Sequence, residues 1–252
     1  MFEAGTPTWL VQTGAMGTEN DYGVVSDGLG FEDSPDCEAI SGGINSKGPH
    51  GLAIGREANL LQWGFYAAPD RMTQSARRAF LNAIVYMRQF DGHRPLVTKE
   101  SRSRAWLHRN IDMLEKYSGP EHEATRTYYT GELPPAAIRA VGIDPQALHT
   151  WVDEHIEWIR KAGSRGYLLD TELLELGISN RDPAFLDWLD TTLAERPDDP
   201  VALRLAARYL RGDGRDAATT RAWIAKHREH AFFSDVGGYR WFADTRATAG
   251  NR

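Results

Sequence analysis

The sequence predicts an α+β or α/β protein: a small N-terminal β-sheet with a packed helix, then a mainly helical domain closed by an aromatic β-hairpin. Three observations carry that expectation. Residues 52–54 and 59–65 are short apolar runs on either side of Gly55-Arg56-Glu57, a hairpin pattern. Ala76, Ala79, Phe80, Ala83, Ile84 and Met87 then recur along one helical stripe. Beyond Asp91 the periodicity turns helical, with the Asp-Pro start signal repeated at Asp144-Pro145, Asp182-Pro183 and Asp199-Pro200.

Taken in order, residues 8–12 and 22–26 read as strands, and 28–50 as a long loop rich in Gly, Pro, Asp, Asn and Ser. Only 38–40 inside that loop has a strand pattern. Gly64 in the second apolar run marks a bulge or a close backbone approach. Thr73 is placed to cap the helix that follows, and Arg77, Arg78 and Arg88 fall on its polar side. Asp91-Gly92-His93-Arg94-Pro95 ends that helix and separates a domain at 1–92 from one at 96–245. In the second domain, helices are expected over 101–117, 134–141, 146–161, 184–195, 201–211 and 217–230. Phe232-Phe233 and 239–242 then flank Asp235-Val236-Gly237-Gly238, a hairpin expected to dock as a lid, and 245–252 reads as a frayed tail.

Composition narrows the function. A net charge of −6 with interspersed signs disfavours nucleic acid, which needs a dense basic face. No apolar run approaches the roughly 20 residues that span a bilayer, and the N-terminus lacks the pattern of a signal peptide. The expectation is therefore a cytoplasmic protein by default, or an exported one if a signal lies upstream. The single cysteine, Cys37, excludes an intramolecular disulfide framework and a Cys-only metal site.

Long loops carry function more often than their length alone would suggest, so 28–56 is the first place to seek a site. The residues expected to bind a small ligand, itself unidentified, are Asp33, Asp36, Asn45, Lys47, His50 and Arg56. Clustered carboxylates can hold a hard cation or work as an acid and base pair. The bland alternative is a solvated loop with local turn bonds, and the spacing of Asp33, Asp36 and Glu38 matches no metal loop. Cys37 would need a base such as His50 to act as a nucleophile, and its carboxylate neighbours oppose ionisation. Gly42-Gly43 with Lys47 is no phosphate loop, because Pro49 stands where a helix should begin. His149 and His155 lie six apart and point to different helix faces, so with Asp153 they make no convergent metal set. No metal and no cofactor is expected, and the catalytic residues, if there are any, are unknown.

Four segments, FEDSPD at 31–36, ISGGINSKGP at 40–49, AIGREANLLQWGF at 53–65 and MTQSARRAFLNAIVYM at 72–87, resemble a stretch of uncharacterised bacterial proteins. FFSDVGGYRWF at 232–242 is similar to the closing motif of that group. The 51–87 unit also resembles the last strands and helix of a ThuA-like domain, of the class I glutamine amidotransferase-like fold. That resemblance implies a flavodoxin-like α/β layer. It carries over no catalytic residue, since Cys37 is not in a G-x-C-x-G elbow.

The expected function is a non-catalytic ligand- or partner-binding module, with a second copy of the chain or a missing upstream domain covering exposed strand edges. The alternative is a hydrolase-like, carbohydrate-related enzyme with its site in the 28–56 loop at a groove between domains. The binding-loop reading expects the Asp36→Ala, His50→Ala double variant to keep its thermal stability while losing any ligand-induced shift.

Overall fold

All three sheets in the described part of the protein are antiparallel, so the α+β alternative is the one realised. The computed structural model describes residues 7–11, 25–45, 48–161, 166–210 and 216–248; for 44, 45, 48–50 and 248 it describes the backbone alone. The chain divides into two compact units, Met1–Leu96 and Val97–Arg252.

The first unit is built on β1 (Ser26–Asp27), β2 (Cys37–Asn45), β3 (Gly48–Glu57) and β4 (Leu60–Trp63). The central strand is β3: β2 runs along one side, from Cys37 opposite Glu57 to Asn45 opposite Gly48. On the other side β1 pairs at Gly51 and Leu52, and β4 pairs from Ile54 to Glu57. The expected long loop is thus largely strand. Its glycines, expected to form turns, permit close approach instead. A Cβ on Gly43 would lie 2.5 Å from Val25 Cγ1, and one on Gly51 would lie 2.5 Å from the Gly43 carbonyl oxygen. The hairpin turn also falls later than expected, at Ala58-Asn59, with Ala58 at φ 48°.

Helix α1 (Gln74–Met87) follows, its first turn capped by Thr73 Oγ1, which accepts from Ala76 N at 3.2 Å. Thr73 also anchors residues 10 and 11: its hydroxyl donates to the Leu10 carbonyl at 2.8 Å and its N–H to that of Val11 at 2.9 Å. Residues 8–11 form no strand, while 12 and 22–24 lie outside the described residues. Ala76 is fully buried and Phe80 meets Trp63 edge-on at 5.0 Å, but Ile84 is 53% exposed. At 100° per residue Ile84 stands about 80° from Ala76, at the margin of the stripe.

The second unit begins with α2 (Trp106–Lys116), α3 (Glu123–Gly131), α4 (Pro135–Val141) and α5 (Pro145–His155). The hairpin of β5 (Ile159–Lys161) and β6 (Tyr167–Leu169) leads to α6 (Thr171–Leu176), α7 (Ala184–Glu195), α8 (Pro200–Tyr209) and α9 (Ala217–His227). The chain closes with β7 (Ala231–Ser234), β8 (Arg240–Ala243) and α10 (Thr245–Thr248), a helical turn where fraying was expected. The helix expected over 146–161 stops at His155, because 159–161 pairs with β6. The helix expected from 101 starts at Trp106, because Ser103 and Arg104 are engaged elsewhere. Leu107, Ile111, Leu148, Val152 and Tyr167 form one core, and Phe185, Leu189, Leu205, Tyr209 and Ile224 another. The β7–β8 hairpin is no lid: Tyr239 belongs to the first core, Trp241 to the second, and Phe233 packs on both.

Candidate functional site

The expected site residues that come together do so around Arg56 on β3. This guanidinium is buried and lies flat over Phe90 at 3.9 Å. Its Nε donates to Glu38 Oε2 at 3.0 Å, and its Nη1 donates to the carbonyls of Asp36 at 3.1 Å and Ala58 at 3.3 Å. Ala58 N in turn donates to the Asp36 carbonyl at 3.0 Å, so Arg56 and Asp36 together hold the left-handed turn at Ala58. Tyr86, near the end of α1, donates its hydroxyl to Glu38 Oε2. The Tyr86 bond, with Arg56 behind it, holds the Glu38 carboxyl below its ordinary range. Burial and the Glu38 carboxylate push the Tyr86 phenol up.

Asp36 meets Arg56 through its main-chain carbonyl. The carboxylate is buried, accepting from Ser34 Oγ on one oxygen and from Leu96 N at 2.9 Å on the other. The carboxylate therefore has a part in the fold: Asp36→Ala would leave a buried hydroxyl and an N–H without this acceptor. Asp33 lies half-buried in the turn Phe31–Asp33. Asn45 and His50 are on β2 and β3, but their side chains lie outside the described residues, as does Lys47 altogether. Glu38, Tyr86 and Phe90 are members that the sequence reading left out. Glu38 and Tyr86 are 48 positions apart. Their one local signal is that Tyr86 stands at the edge of the α1 stripe.

Chemically the cluster is poor in groups ready to react. Glu38 is held ionised by two donors, which makes it a weak base. Cys37 stands beside it on β2, and burial, then Glu57, Asp36 and Asp33, push its thiol up to about 12. A thiol held protonated at neutral pH is no nucleophile. Among the described residues no group of three or more His, Cys, Asp or Glu is arranged to hold a metal ion, and no helix is long and apolar enough to cross a membrane.

In the second unit, Arg104–Asp235 and Asp170 each centre a charge network that joins residues far apart in sequence. Arg104, 3% exposed, binds Asp235 through Nε and Nη2 (2.8 Å at the closest), Asn180 Oδ1 at 2.9 Å and the Ile156 carbonyl at 2.9 Å. Asp235 also accepts from Arg104 N at 2.9 Å. Asp170 caps α6 through Leu173 N and accepts from Arg208 and, at 2.6 Å, from Tyr209. No family model, no curated protein and no solved structure matches the chain.

Proposed function

We propose that the chain is a non-catalytic partner-binding module whose first unit presents the binding surface, and that the partner is a second copy of the chain. The observation that carries this reading is the outer face of α1. Leu81, Ile84 and Val85, at i, i+3 and i+4, form one apolar strip that is 61%, 53% and 67% exposed. They belong to a wider pattern. Of the eleven exposed large hydrophobics among the described residues, eight (Trp9, Leu10, Ile40, Leu60, Tyr66 and these three) lie in the smaller first unit. A two-fold contact would bury the same strip twice, the usual economy of a homodimer. The polar groups support the same reading. Asp36, Glu38 and Arg56 are bonded into the fold, as scaffold groups are. The reading also takes the 51–87 unit as similar to the last strands and helix of a ThuA-like domain.

Sedimentation velocity over a wide concentration range tests the proposal. The wild-type chain is expected to shift from monomer toward dimer. The Leu81→Ser, Val85→Ser variant is expected to stay monomeric with its Tm unchanged. A wild-type chain that stays monomeric throughout overturns the proposal.

A further inference from the structure

Helix α2 turns Leu107, Ile111 and Leu114 into a core, and the same face carries an asparagine. Asn110 is 1% exposed, enclosed as deeply as they are. Its amide brings two N–H hydrogens and an acceptor oxygen to that place. Among the described residues neither Nδ2 nor Oδ1 has a hydrogen-bonding partner. One turn earlier on the helix, the Nε1–H of Trp106 is also buried and without an acceptor among the described residues. Helix geometry sets the Cβ atoms of the two residues about 5–6 Å apart.

Polar groups that lose their hydration on folding are seldom left unpaired, and an apolar side chain of the same size would suit this stripe better. Another amide of the same unit shows the usual outcome. Asn180, at 0% exposure, accepts from Arg104 Nη2 on Oδ1 and donates from Nδ2 to the Ile159 carbonyl. What Asn110 and Trp106 require together is an oxygen that accepts from N–H groups and can give a hydrogen to an amide oxygen. It has to be small, because Leu107 and Ile111 beside Asn110 are fully buried. Water meets both conditions. We infer that α2 holds an internal water molecule, bonded to the Asn110 amide and to the indole N–H of Trp106.

An ion of either sign is the poorer occupant. The amide offers hydrogens and an oxygen side by side, and so deep a place admits no hydration shell. The indole is well fixed for its part. The guanidinium of Arg102, four residues before Trp106, lies over its ring at 4.6 Å, and that of Arg109, three residues after it, at 4.7 Å.

The test is a water-selective ROESY experiment on the full chain, with the asparagine and tryptophan side chains ¹⁵N-labelled. The expected result is a cross-peak of dipolar sign, opposite to the diagonal, from water to the Asn110 amide hydrogens and to Trp106 Hε1. In Asn110→Leu, with near-UV circular dichroism matching the wild type, the Trp106 peak should disappear. The wild-type peaks decide the matter even where Asn110→Leu fails to fold. Melting curves supply a second reading. Asn110→Leu strands the indole N–H, and adding Trp106→Phe removes it. The Tm of the double variant should therefore lie about 2–4 °C above the sum of the two single shifts. A folded wild-type chain with no dipolar water peak at Asn110 overturns the inference. So does a Trp106 peak unchanged in Asn110→Leu, and so do strictly additive Tm shifts.

Discussion

The two units solve the problem of burying a core in different ways. Among the described residues the twelve largest fully buried side chains, Trp241, Tyr167, Tyr209, Tyr239 and Phe185 among them, lie in the second unit. Among the described residues the first unit's buried hydrophobics are four alanines, Ala53, Ala58, Ala67 and Ala76, and the non-aromatic Val11, Leu52, Ile54 and Met72. The ion pairs differ in the same sense. Arg104–Asp235 has side-chain exposures of 3% and 9%, against 10% and 43% for Arg56–Glu38. The second unit is closed on itself by aromatic packing and a desolvated ion pair. The first, among its described residues, has a four-stranded sheet and a helix on which Leu81, Ile84 and Val85 stay exposed, the strip on which the proposed self-association rests.

The largest effect should come from opening the closed unit. Asp235→Ala leaves the Arg104 guanidinium buried without its counter-ion, and urea denaturation should register a loss of about 3–5 kcal/mol. If that variant unfolds with wild-type stability, the contrast between the units fails. In the first unit, Asp36→Ala should cost less, about 1–3 kcal/mol, from the orphaned Ser34 hydroxyl and Leu96 N–H. A Tm unchanged in this variant would restore Asp36 to the role of a dispensable loop carboxylate.

A smaller effect should appear in acid. Arg181 Nε donates to Glu157 Oε2 at 2.9 Å, and this pairing, helped by Ser179, holds the Glu157 carboxyl down to about 2. The depressed value means that the stabilisation is complete above the unfolded glutamate range, about 4.3. It is lost as pH falls from there through about 2. Glu157→Gln should flatten the acid limb of the stability profile in that window. An identical limb in the variant would show that solvent screening removes the effect of this half-exposed pair.

How much of this was legible in the sequence depends on how local each cause is. The Asp-Pro starts were readable because a cap acts within one turn: Asp144 Oδ1 accepts from Ala147 N at 2.8 Å, and Asp199 Oδ1 from Ala202 N at 2.9 Å. The same holds for Thr73. Strand β2 is hidden because Gly42-Gly43 looks like a turn until Val25 and Ala53 close on the space that the missing Cβ of Gly43 leaves. The hairpin motif at 232–242 was visible as a hairpin. Its role was not, since Arg104 and Asp235 are 131 positions apart. Arg56 was picked out as a site residue and stands at the centre of the cluster. Its partners Glu38, Tyr86 and Phe90 come from separate elements and leave no contiguous signature.

The claim that the first unit is the open, partner-seeking half is tested most directly by hydrogen–deuterium exchange at low and high protein concentration. Peptides covering α1 should gain protection as concentration rises, those of α7 and α8 should not change, and the gain should vanish in the Leu81→Ser, Val85→Ser variant. Protection on α1 that is independent of concentration, or a gain confined to the second unit, would contradict it.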